Sequence, residues 1–184
     1  MNDIIVIVGF SGVGKDSVAN FLHKNHGYNF IQSVTSRPIR GYESEGDPYK
    51  FVTGVQFEQM DREDKFVEYR AYYTEFGVWY YGVLKSDVLD NEKYVVVLDY
   101  EGYSDFKKVY PDRVKSVWLY ADDETRKERA IKRGSFDINE WNRRLADDKA
   151  RFGDLDLVNK FDVIVKNYDF EEATTSIINQ LGLI

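Results

Sequence analysis

One stretch near the start of the chain limits its fold more than any other: an apolar, β-branched run followed directly by a glycine-rich loop. Residues Asp3–Val8 read DIIVIV, which is typical of a strand buried on both faces of a parallel sheet. Residues 9–15 read GFSGVGK, and the apolar spacing after them predicts a helix over Lys15–His26 that ends at Gly27. Strand, loop and helix in this order are the context in which a glycine-rich loop cradles phosphate groups.

The chemistry of this loop predicts that it binds the phosphates of ATP. Glycines let consecutive backbone N–H groups turn toward phosphate oxygens, and the following helix N-terminus favours negative charge. Lys15 would reach the β- and γ-phosphates as a point charge, so it is also a predicted catalytic residue. An ordinary turn is the alternative, but this combination between a strand and a helix is rare by chance. The residues expected to contact ATP are Gly9, Ser11, Gly12, Val13, Gly14, Lys15, Asp16 and Ser17.

Position 16 departs from the phosphate-loop motif, which places Ser or Thr after the lysine to bind Mg²⁺. This chain has Asp16 there, with Ser17 next. A carboxylate is a good hard ligand for Mg²⁺, directly or through water. We therefore expect Mg²⁺ as the cofactor that accompanies ATP, with Asp16 as a metal ligand. The alternative is that Asp16 only stabilises the helix N-terminus.

The rest of the chain predicts an α/β fold with an insertion. Strands that alternate with helices imply a parallel sheet covered on both faces. Segment 35–83 breaks this rhythm with two prolines, turn residues and many tyrosines, so we predict an inserted lobe of mostly short antiparallel strands, helical only around Val55–Met60. The other predicted strands are Tyr28–Val34, Tyr94–Leu98, Val114–Tyr120 and Phe161–Val165, and the other predicted helices are Tyr103–Val109, Asp123–Arg133, Ile138–Leu157 and Phe170–Leu181.

Composition argues against several classes of protein. The 25 basic and 32 acidic residues give a net charge of −7, unlike a nonspecific nucleic-acid binder. The sequence has no cysteine and only two histidines, which argues against disulfides, thiol chemistry and a multi-histidine zinc site. The apolar runs are too short to span a membrane, and the first residues do not match a secretory signal. We expect a cytoplasmic monomer or homodimer with small-molecule substrates, and no nucleic-acid or membrane partner.

Motifs in the inserted segment resemble those of the guanylate kinase family. Residues 33–43 read SVTSRPIRGYE, then come Gly46, Tyr49 and Phe51, then FVEY at 66–69 and YYG at 80–82. Guanylate kinases carry S-x-T-T-R-x-P-R-x-G-E, G-x-x-Y-x-F, F-x-E and Y-Y-G in the same order. The resemblance covers nearly the whole chain, and the combination of motifs is highly specific.

The resemblance implies a P-loop NTPase fold: a parallel sheet flanked by helices, an inserted, mostly antiparallel β lobe that binds the nucleoside monophosphate, and a small helical lid. It implies a single domain over residues 1–184. The core would comprise residues 1–34, 84–132 and 145–184, the monophosphate lobe residues 35–83, and the lid residues 133–144.

The resemblance also implies a GMP site within the inserted lobe. Arginine guanidinium groups can hold a phosphate dianion through several donors at once, and tyrosine hydroxyls add to them. Guanine displays its N1–H and its amino group together, and Glu68 stands where the family's carboxylate accepts both. The other tyrosines of the lobe are expected mainly to pack it. The GMP-binding residues implied by the resemblance are Ser33, Arg37, Arg40, Tyr49, Glu68, Tyr81 and Asp99.

Two positions depart from the family's pattern. The family follows Y-Y-G with a Ser or Thr that contacts the guanine carbonyl, whereas this chain has Val83, so that contact is lost or supplied elsewhere. The family reads D-I-D-x-Q-G after the next strand, and this chain has a shorter sequence that begins at Asp99. Asp99 can correspond to either of the two family aspartates, so a contact with the metal and a contact with the substrate are both open. The alternative is a structural role in which Asp99 caps the loop.

Three arginines, Arg129, Arg133 and Arg144, match the family's lid arginines in spacing. Arg129 and Arg133 are four residues apart and would share one helix face. Arginines that close over a transferred phosphoryl group stabilise the charge that develops there, so these three join Lys15 as predicted catalytic residues. A solvated cationic helix face is the alternative. The turn 134–137 is a candidate lid hinge.

The reaction implied is transfer of the ATP γ-phosphoryl group to GMP or dGMP, which gives ADP and GDP or dGDP. Catalysis would come from aligning two anions and neutralising their charge, without a strong general base. Two alternatives stay open: a kinase of the same fold that acts on another nucleotide or a phosphorylated sugar, and an interaction module that has lost catalysis. An acceptor without a purine would not depend on Glu68, which separates these hypotheses.

Overall fold

The computed structural model describes residues 3–39, 44, 49–74, 77–132, 134, 136–153 and 159–183. In chain order its elements are β1 (Ile4–Gly9), α1 (Lys15–His26), β2 (Asn29–Phe30), β3 (Val34–Thr35), β4 (Lys50–Phe51), α2 (Gly54–Arg62), β5 (Phe66–Thr74), β6 (Gly77–Leu84), a 3₁₀ turn (Lys85–Asp87), β7 (Tyr94–Val97), α3 (Tyr100–Val109), β8 (Val114–Tyr120), α4 (Asp123–Lys132), α5 (Ile138–Phe152), β9 (Val163–Lys166) and α6 (Phe170–Leu181). Among these helices, none combines the length and the apolar character that a membrane span requires.

The central sheet has five strands in the order β2-β7-β1-β8-β9, and every neighbouring pair is parallel. The side chains of β1 alternate between two apolar clusters, as the period of a strand requires. Val6 packs with Phe106 of α3 on one face, and Ile7 packs with Leu22 of α1 and Ile177 of α6 on the other. The expected parallel sheet with helices on both faces is therefore confirmed.

A second sheet of four strands, in the order β4-β3-β6-β5, is formed within the inserted segment. The expected mostly antiparallel pairing is confirmed, because β6 pairs antiparallel with both β3 and β5, and β3 with β4 is the one parallel pair of this sheet among the described residues. The strands are not all short, because β5 and β6 have nine and eight residues. The expected helix is present as α2. Thr53 caps it, accepting a hydrogen bond from the Gln56 N–H.

Several predicted boundaries were wrong. The strand expected over Tyr28–Val34 is two strands in different sheets, because the chain leaves β7 after Phe30 and joins β6 at Val34. Helix α3 begins at Tyr100, three residues early, because Asp99 Oδ1 accepts the Gly102 N–H at 2.8 Å and starts the helix there. Helix α5 ends at Phe152 rather than Leu157, with Gly153 as its C-cap.

The last strand also differs from its expected bounds. It begins at Val163 rather than Phe161, and it continues to Lys166. Before it, Asp162 replaces the regular ladder with side-chain hydrogen bonds: its Oδ2 accepts the Ser116 N–H at 2.9 Å, and its own N–H donates to Ser116 Oγ at 3.0 Å.

Candidate active site

A cavity of about 890 Å³ lies at the carboxyl end of β1, where parallel sheets of this type bind ligands. Its wall brings together the glycine-rich loop, the β5–β6 hairpin, the start of α3 and one face of α5. Lys15, Glu68, Tyr81, Asp99 and Arg144 all line it. Residues predicted for both substrates, separated by up to 129 positions in the sequence, therefore share one cavity.

The glycine-rich loop joins β1 to α1 and has left-handed backbone conformations at Gly12 and Gly14. Lys15 begins α1, and its Nζ donates to the carbonyls of Gly9 at 2.9 Å and Phe10 at 3.0 Å. Gly14 has φ +99°, and a Cβ at this position would lie 2.7 Å from Asn167 Nδ2. Both the conformation and the close approach require glycine there.

Two side chains outside the loop hold its backbone at Val13. Asn167, at the end of β9, donates from Nδ2 to the Val13 carbonyl at 2.8 Å. Arg129 donates from Nη1 to the same carbonyl at 3.2 Å and from Nη2 to the Asn167 carbonyl at 2.6 Å. Within the described ranges Arg129 is not among the residues that line the cavity. In this conformation it therefore braces the loop, and a catalytic role for it stays a prediction.

A buried ion pair lies on the other side of the loop. Arg126 of α4 is only 2% exposed, and its Nη1 donates to Asp148 Oδ2 of α5 at 3.0 Å and to the Ser11 carbonyl at 2.8 Å. Asp148 in turn accepts the Ser11 N–H at 2.9 Å and the Ser11 hydroxyl at 3.1 Å. Both donors of Ser11, a predicted ATP contact, thus bind a carboxylate in this structure.

The acceptor wall of the cavity is one face of the β5–β6 hairpin. Glu68 pairs with Val83 across the strands, and Arg70 pairs with Tyr81, so these four side chains share that face. Glu68 is 8% exposed. Desolvation raises the pKa of its carboxyl to about 7, against the opposing effect of Arg70. Glu68 therefore lies in the cavity wall with its ionisation set by its surroundings, and its role in binding the base stays a prediction.

Arg70 is surrounded by carboxylates. Its Nη2 donates to Asp105 Oδ2 at 3.1 Å, and its Nε lies 3.4 Å from Glu101 Oε2 and 3.5 Å from Asp99 Oδ1. Its Nη1 lies 3.7 Å from Glu68 Oε2. The sequence prediction missed Arg70, although its two-residue spacing from Glu68 on a predicted strand is a signal that both face the same side.

The predicted phosphate-binding residues of the acceptor site form a connected group. Arg37 is buried, and its Nε donates to Tyr81 Oη at 3.1 Å. Its guanidinium lies 5.7 Å from the centre of the Tyr49 ring, and the Tyr49 and Tyr81 rings meet edge to face. Ser33, predicted to contact the base, also lines the cavity. Arg40 lies outside the described residues.

Helix α5 forms the remaining wall. Arg144 lines the cavity and pairs with Glu140, its Nε 2.7 Å from Oε1. Arg151 donates to Asp99 Oδ2 at 2.6 Å and lies over the Tyr72 ring. Asp99 thus both caps α3 and faces the cavity.

A guanylate kinase family model matches residues 1–181. The chain belongs to the guanylate kinase family. A guanylate kinase of Fusobacterium nucleatum is 29% identical, over 96% of this chain and 94% of its own length. One of Clostridium acetobutylicum is 33% identical, over 95% of this chain and 82% of its own length. The crystal structure of a guanylate kinase from Anaplasma phagocytophilum matches with a TM-score of 0.66 at 25% identity, over 97% of this chain and 84% of that one.

Membership of the guanylate kinase family confirms the expected P-loop fold and the expected enzyme class, an ATP-dependent nucleoside monophosphate kinase. The site residues predicted for a guanylate kinase can be located only where the structure describes them. Arg133 of the lid, like Arg40 of the acceptor site, lies outside the described residues. The sequence analysis missed five residues that surround the site: Arg70, Arg126, Asp148, Arg151 and Asn167.

Proposed function

We propose that this member of the guanylate kinase family transfers the γ-phosphoryl group of ATP to GMP or dGMP. The observation that supports this most strongly is the buried carboxylate of Glu68 in the same cavity as Lys15 of the glycine-rich loop. A carboxylate at this place can accept hydrogen bonds from the guanine N1–H and amino groups together. Glu68 would thereby select guanine as the base of the acceptor, in the same cavity that holds the phosphates of ATP.

The donor site in this proposal is the glycine-rich loop. Backbone N–H groups and Lys15 hold the ATP phosphates, and Mg²⁺, when bound with ATP, offsets the charge of the phosphate oxygens. Asp16 is exposed in the first turn of α1, so it can hold that ion directly or through water, with Ser17 beside it. Asp99 fits less well, because Gly102 and Arg151 already engage its two oxygens.

The metal in this proposal is held largely by the substrate. In the described part of the chain no three acidic, histidine or cysteine side chains form a metal-binding group. Mg²⁺ in kinases commonly uses one or two carboxylates together with phosphates and water, so a single aspartate is an adequate protein contribution.

The acceptor site is assigned to the inserted lobe, residues 35–83, together with Ser33. Arg37, Arg40, Tyr49 and Tyr81 hold the monophosphate, and Glu68 and Ser33 hold the base. The group that links Arg37, Tyr49 and Tyr81 supports this assignment, because a phosphate there meets a preformed cluster of cationic and hydroxyl groups.

Transfer itself needs alignment rather than a base. An oxygen of the acceptor phosphate forms a bond to the γ-phosphorus as the bond to the β–γ bridging oxygen breaks, and ADP leaves. Lys15 and Arg144, both in the cavity wall, stabilise the charge on the transferred group. Arg129 and Arg133 join them when the lid, residues 133–144, closes over a core of residues 1–34, 84–132 and 145–184. The proposal places the enzyme in the cytoplasm, as a monomer or homodimer.

The test measures ADP formation from MgATP with GMP, dGMP, AMP, dAMP, CMP, UMP and TMP. We expect rapid turnover with GMP and dGMP alone, and a loss of more than about 100-fold in kcat for Lys15→Met, because one preorganised charge contact to the transition state is worth roughly that much. Turnover with a different monophosphate would reject the guanine assignment. A folded protein that binds ATP but turns over none of them would instead support a non-nucleotide acceptor or an interaction module.

A further inference from the structure

The base-reading face of the β5–β6 hairpin carries a cation beside its carboxylate. Glu68 and Arg70 project from the same face of β5, with Arg70 Nη1 3.7 Å from Glu68 Oε2. Val83 lies opposite Glu68, and therefore diagonally from Arg70 across the pair of strands. A long side chain can reach the diagonal neighbour of its own residue in a hairpin. Arg70 can therefore contact the part of the base that a hydroxyl at position 83 would contact.

The Arg70 guanidinium is held in a fixed orientation. Its Nη1 donates to the Tyr69 carbonyl at 2.6 Å and its Nη2 to Asp105 at 3.1 Å. Glu101 and Asp99 lie within 3.5 Å of its Nε, at distances of an ion pair. These carboxylates offset the cost of desolvating the cation and leave it little rotational freedom, which is the condition for a selective contact.

Donor capacity remains on this guanidinium. A guanidinium has five N–H groups, and two of them make the hydrogen bonds to Tyr69 and Asp105. The Nε atom is buried between Asp99 and Glu101, so the donors left for a ligand are the second N–H groups of Nη1 and Nη2. Arg70 lines the cavity next to Glu68, so its donors adjoin an acceptor on the same wall.

We propose that Arg70 is a specificity-determining residue that donates a hydrogen bond to the 6-carbonyl of guanine, the contact that Val83 cannot make. The inference rests on the proposed GMP kinase activity. Guanine presents a carbonyl acceptor beside its N1–H donor, and the adjacent donor and acceptor of Arg70 and Glu68 are complementary to that edge. Adenine presents an amino group in place of the carbonyl, and a guanidinium opposite it has no acceptor to offer.

A competing role for Arg70 must be separated from this one. The positive charge of Arg70 lowers the pKa of Glu68, against the effect of desolvation. In this competing role Arg70 would influence base binding only by keeping Glu68 ionised. Two analogues of GMP distinguish the roles. The 6-thio analogue keeps the N1–H and the amino group but replaces the carbonyl oxygen with a weaker acceptor. IMP keeps the carbonyl and the N1–H but lacks the amino group that Glu68 accepts.

The experiment measures kcat/KM of wild type, Arg70→Ala and Glu68→Gln for GMP, 6-thio-GMP and IMP. We expect wild type to prefer GMP to the thio analogue by about tenfold or more, because a hydrogen bond from a charged donor is worth that factor. In Arg70→Ala this preference should fall to within about twofold, and the preference for GMP over IMP should persist. In Glu68→Gln the preference for GMP over IMP should fall, and the preference for GMP over the thio analogue should persist.

Arg143→Ala is the matched control, because Arg143 is a cation of the same cavity that pairs with Glu140 and Asp147, neither of which contacts Arg70. It should leave both preferences unchanged. If Arg70→Ala keeps the preference over the thio analogue, or loses mainly the preference over IMP, the proposal is wrong and Arg70 acts through Glu68. If wild type itself does not use GMP, the proposed function has failed, which is a separate result.

The proposal can still be tested if Arg70→Ala folds poorly. Arg70→Lys keeps a positive donor and should retain a preference between that of wild type and that of the alanine variant. Where turnover is too slow to measure, calorimetric dissociation constants for GMP, 6-thio-GMP and IMP give the same ratios. Equal ratios in wild type, Arg70→Lys and Arg70→Ala would overturn the proposal.

Discussion

Gly14 lies where the chain has no room for a side chain. Its φ of +99° is rare for other residues, and a Cβ would lie 2.7 Å from Asn167 Nδ2. We expect Gly14→Ala to lower the free energy of unfolding by about 1–3 kcal/mol and to weaken ATP binding, because alanine is strained at this φ and either the loop or the Asn167 side chain that holds it must move. Urea denaturation and ATP titration measure both effects.

Gly54→Ala is the control for that substitution. Gly54 begins α2, and a Cβ there would have no atom within 4 Å. We expect unchanged or slightly raised stability, by at most about 1 kcal/mol. An equal loss of stability in both variants would show that the steric argument for Gly14 is wrong.

The carboxyl of Glu68 makes activity depend on pH. Burial raises its pKa to about 7, and only the ionised form can accept both guanine donors. Protonation occurs as pH falls through that value, so kcat/KM for GMP should rise with pH up to about 7 and level off above it. Glu68→Gln should have no such rise. A wild-type profile that is flat from pH 6 to pH 8 would exclude this ionisation from GMP binding.

Helix α5 is tied to the glycine-rich loop through one buried ion pair. Asp148 of α5 contacts both Arg126 of α4 and the loop residue Ser11. Arg126 Nε has no hydrogen-bond partner among the described residues, so the guanidinium depends strongly on the partners it has. The position of α5, which carries Arg144 into the cavity wall, therefore depends on this pair.

Removing Asp148 should be more damaging than removing the whole pair. In Asp148→Ala the buried Arg126 loses its buried anion and keeps one ion pair, at 2.6 Å to the exposed Asp123, so we expect the free energy of unfolding to fall by about 2 kcal/mol, less than for a buried charge left with no partner. The double variant Arg126→Met/Asp148→Ala removes the buried charge as well and should recover most of that loss. Denaturant unfolding of both variants provides the measurement. A double variant no more stable than the single one would contradict the argument.

At the scale of the whole molecule, two ligand sites meet in one cavity, and each should stabilise the fold independently. A ligand at 100 times its dissociation constant adds about 2.7 kcal/mol, which is roughly 5–10 °C in Tm for a chain of this size. Lys15→Met should lose the shift produced by MgATP and keep that produced by GMP, and Glu68→Gln should do the reverse. Differential scanning calorimetry measures all four shifts.

The same measurement tests how the binding roles are divided between the core and the inserted lobe. The two substitutions are 53 positions apart in the sequence, with Lys15 at the start of α1 and Glu68 on β5. A single variant that lost both shifts, while still folded, would mean that the two substrates do not occupy separate parts of the cavity.

Much of the fold could be read from local sequence patterns. The apolar run of β1, the glycines of the loop and the apolar period of α1 and α6 each depend on neighbours within a few residues, so these elements were predicted with their bounds nearly right. The boundaries failed where partners are distant. The segment Tyr28–Val34 has a uniform strand character, and only its pairing with β7 and then β6 divides it between two sheets.

The sequence by itself determined the chemistry that this chain carries: a phosphate loop with its lysine, a carboxylate at position 68 and a set of arginines. Tertiary structure alone decided which of those groups meet. It placed Arg70 against Asp105 and Asp148 against Ser11, and it placed Arg129 on the loop backbone. The physical reason is that such contacts join positions up to 137 residues apart, and their energies depend on burial and distance, which only the folded chain possesses.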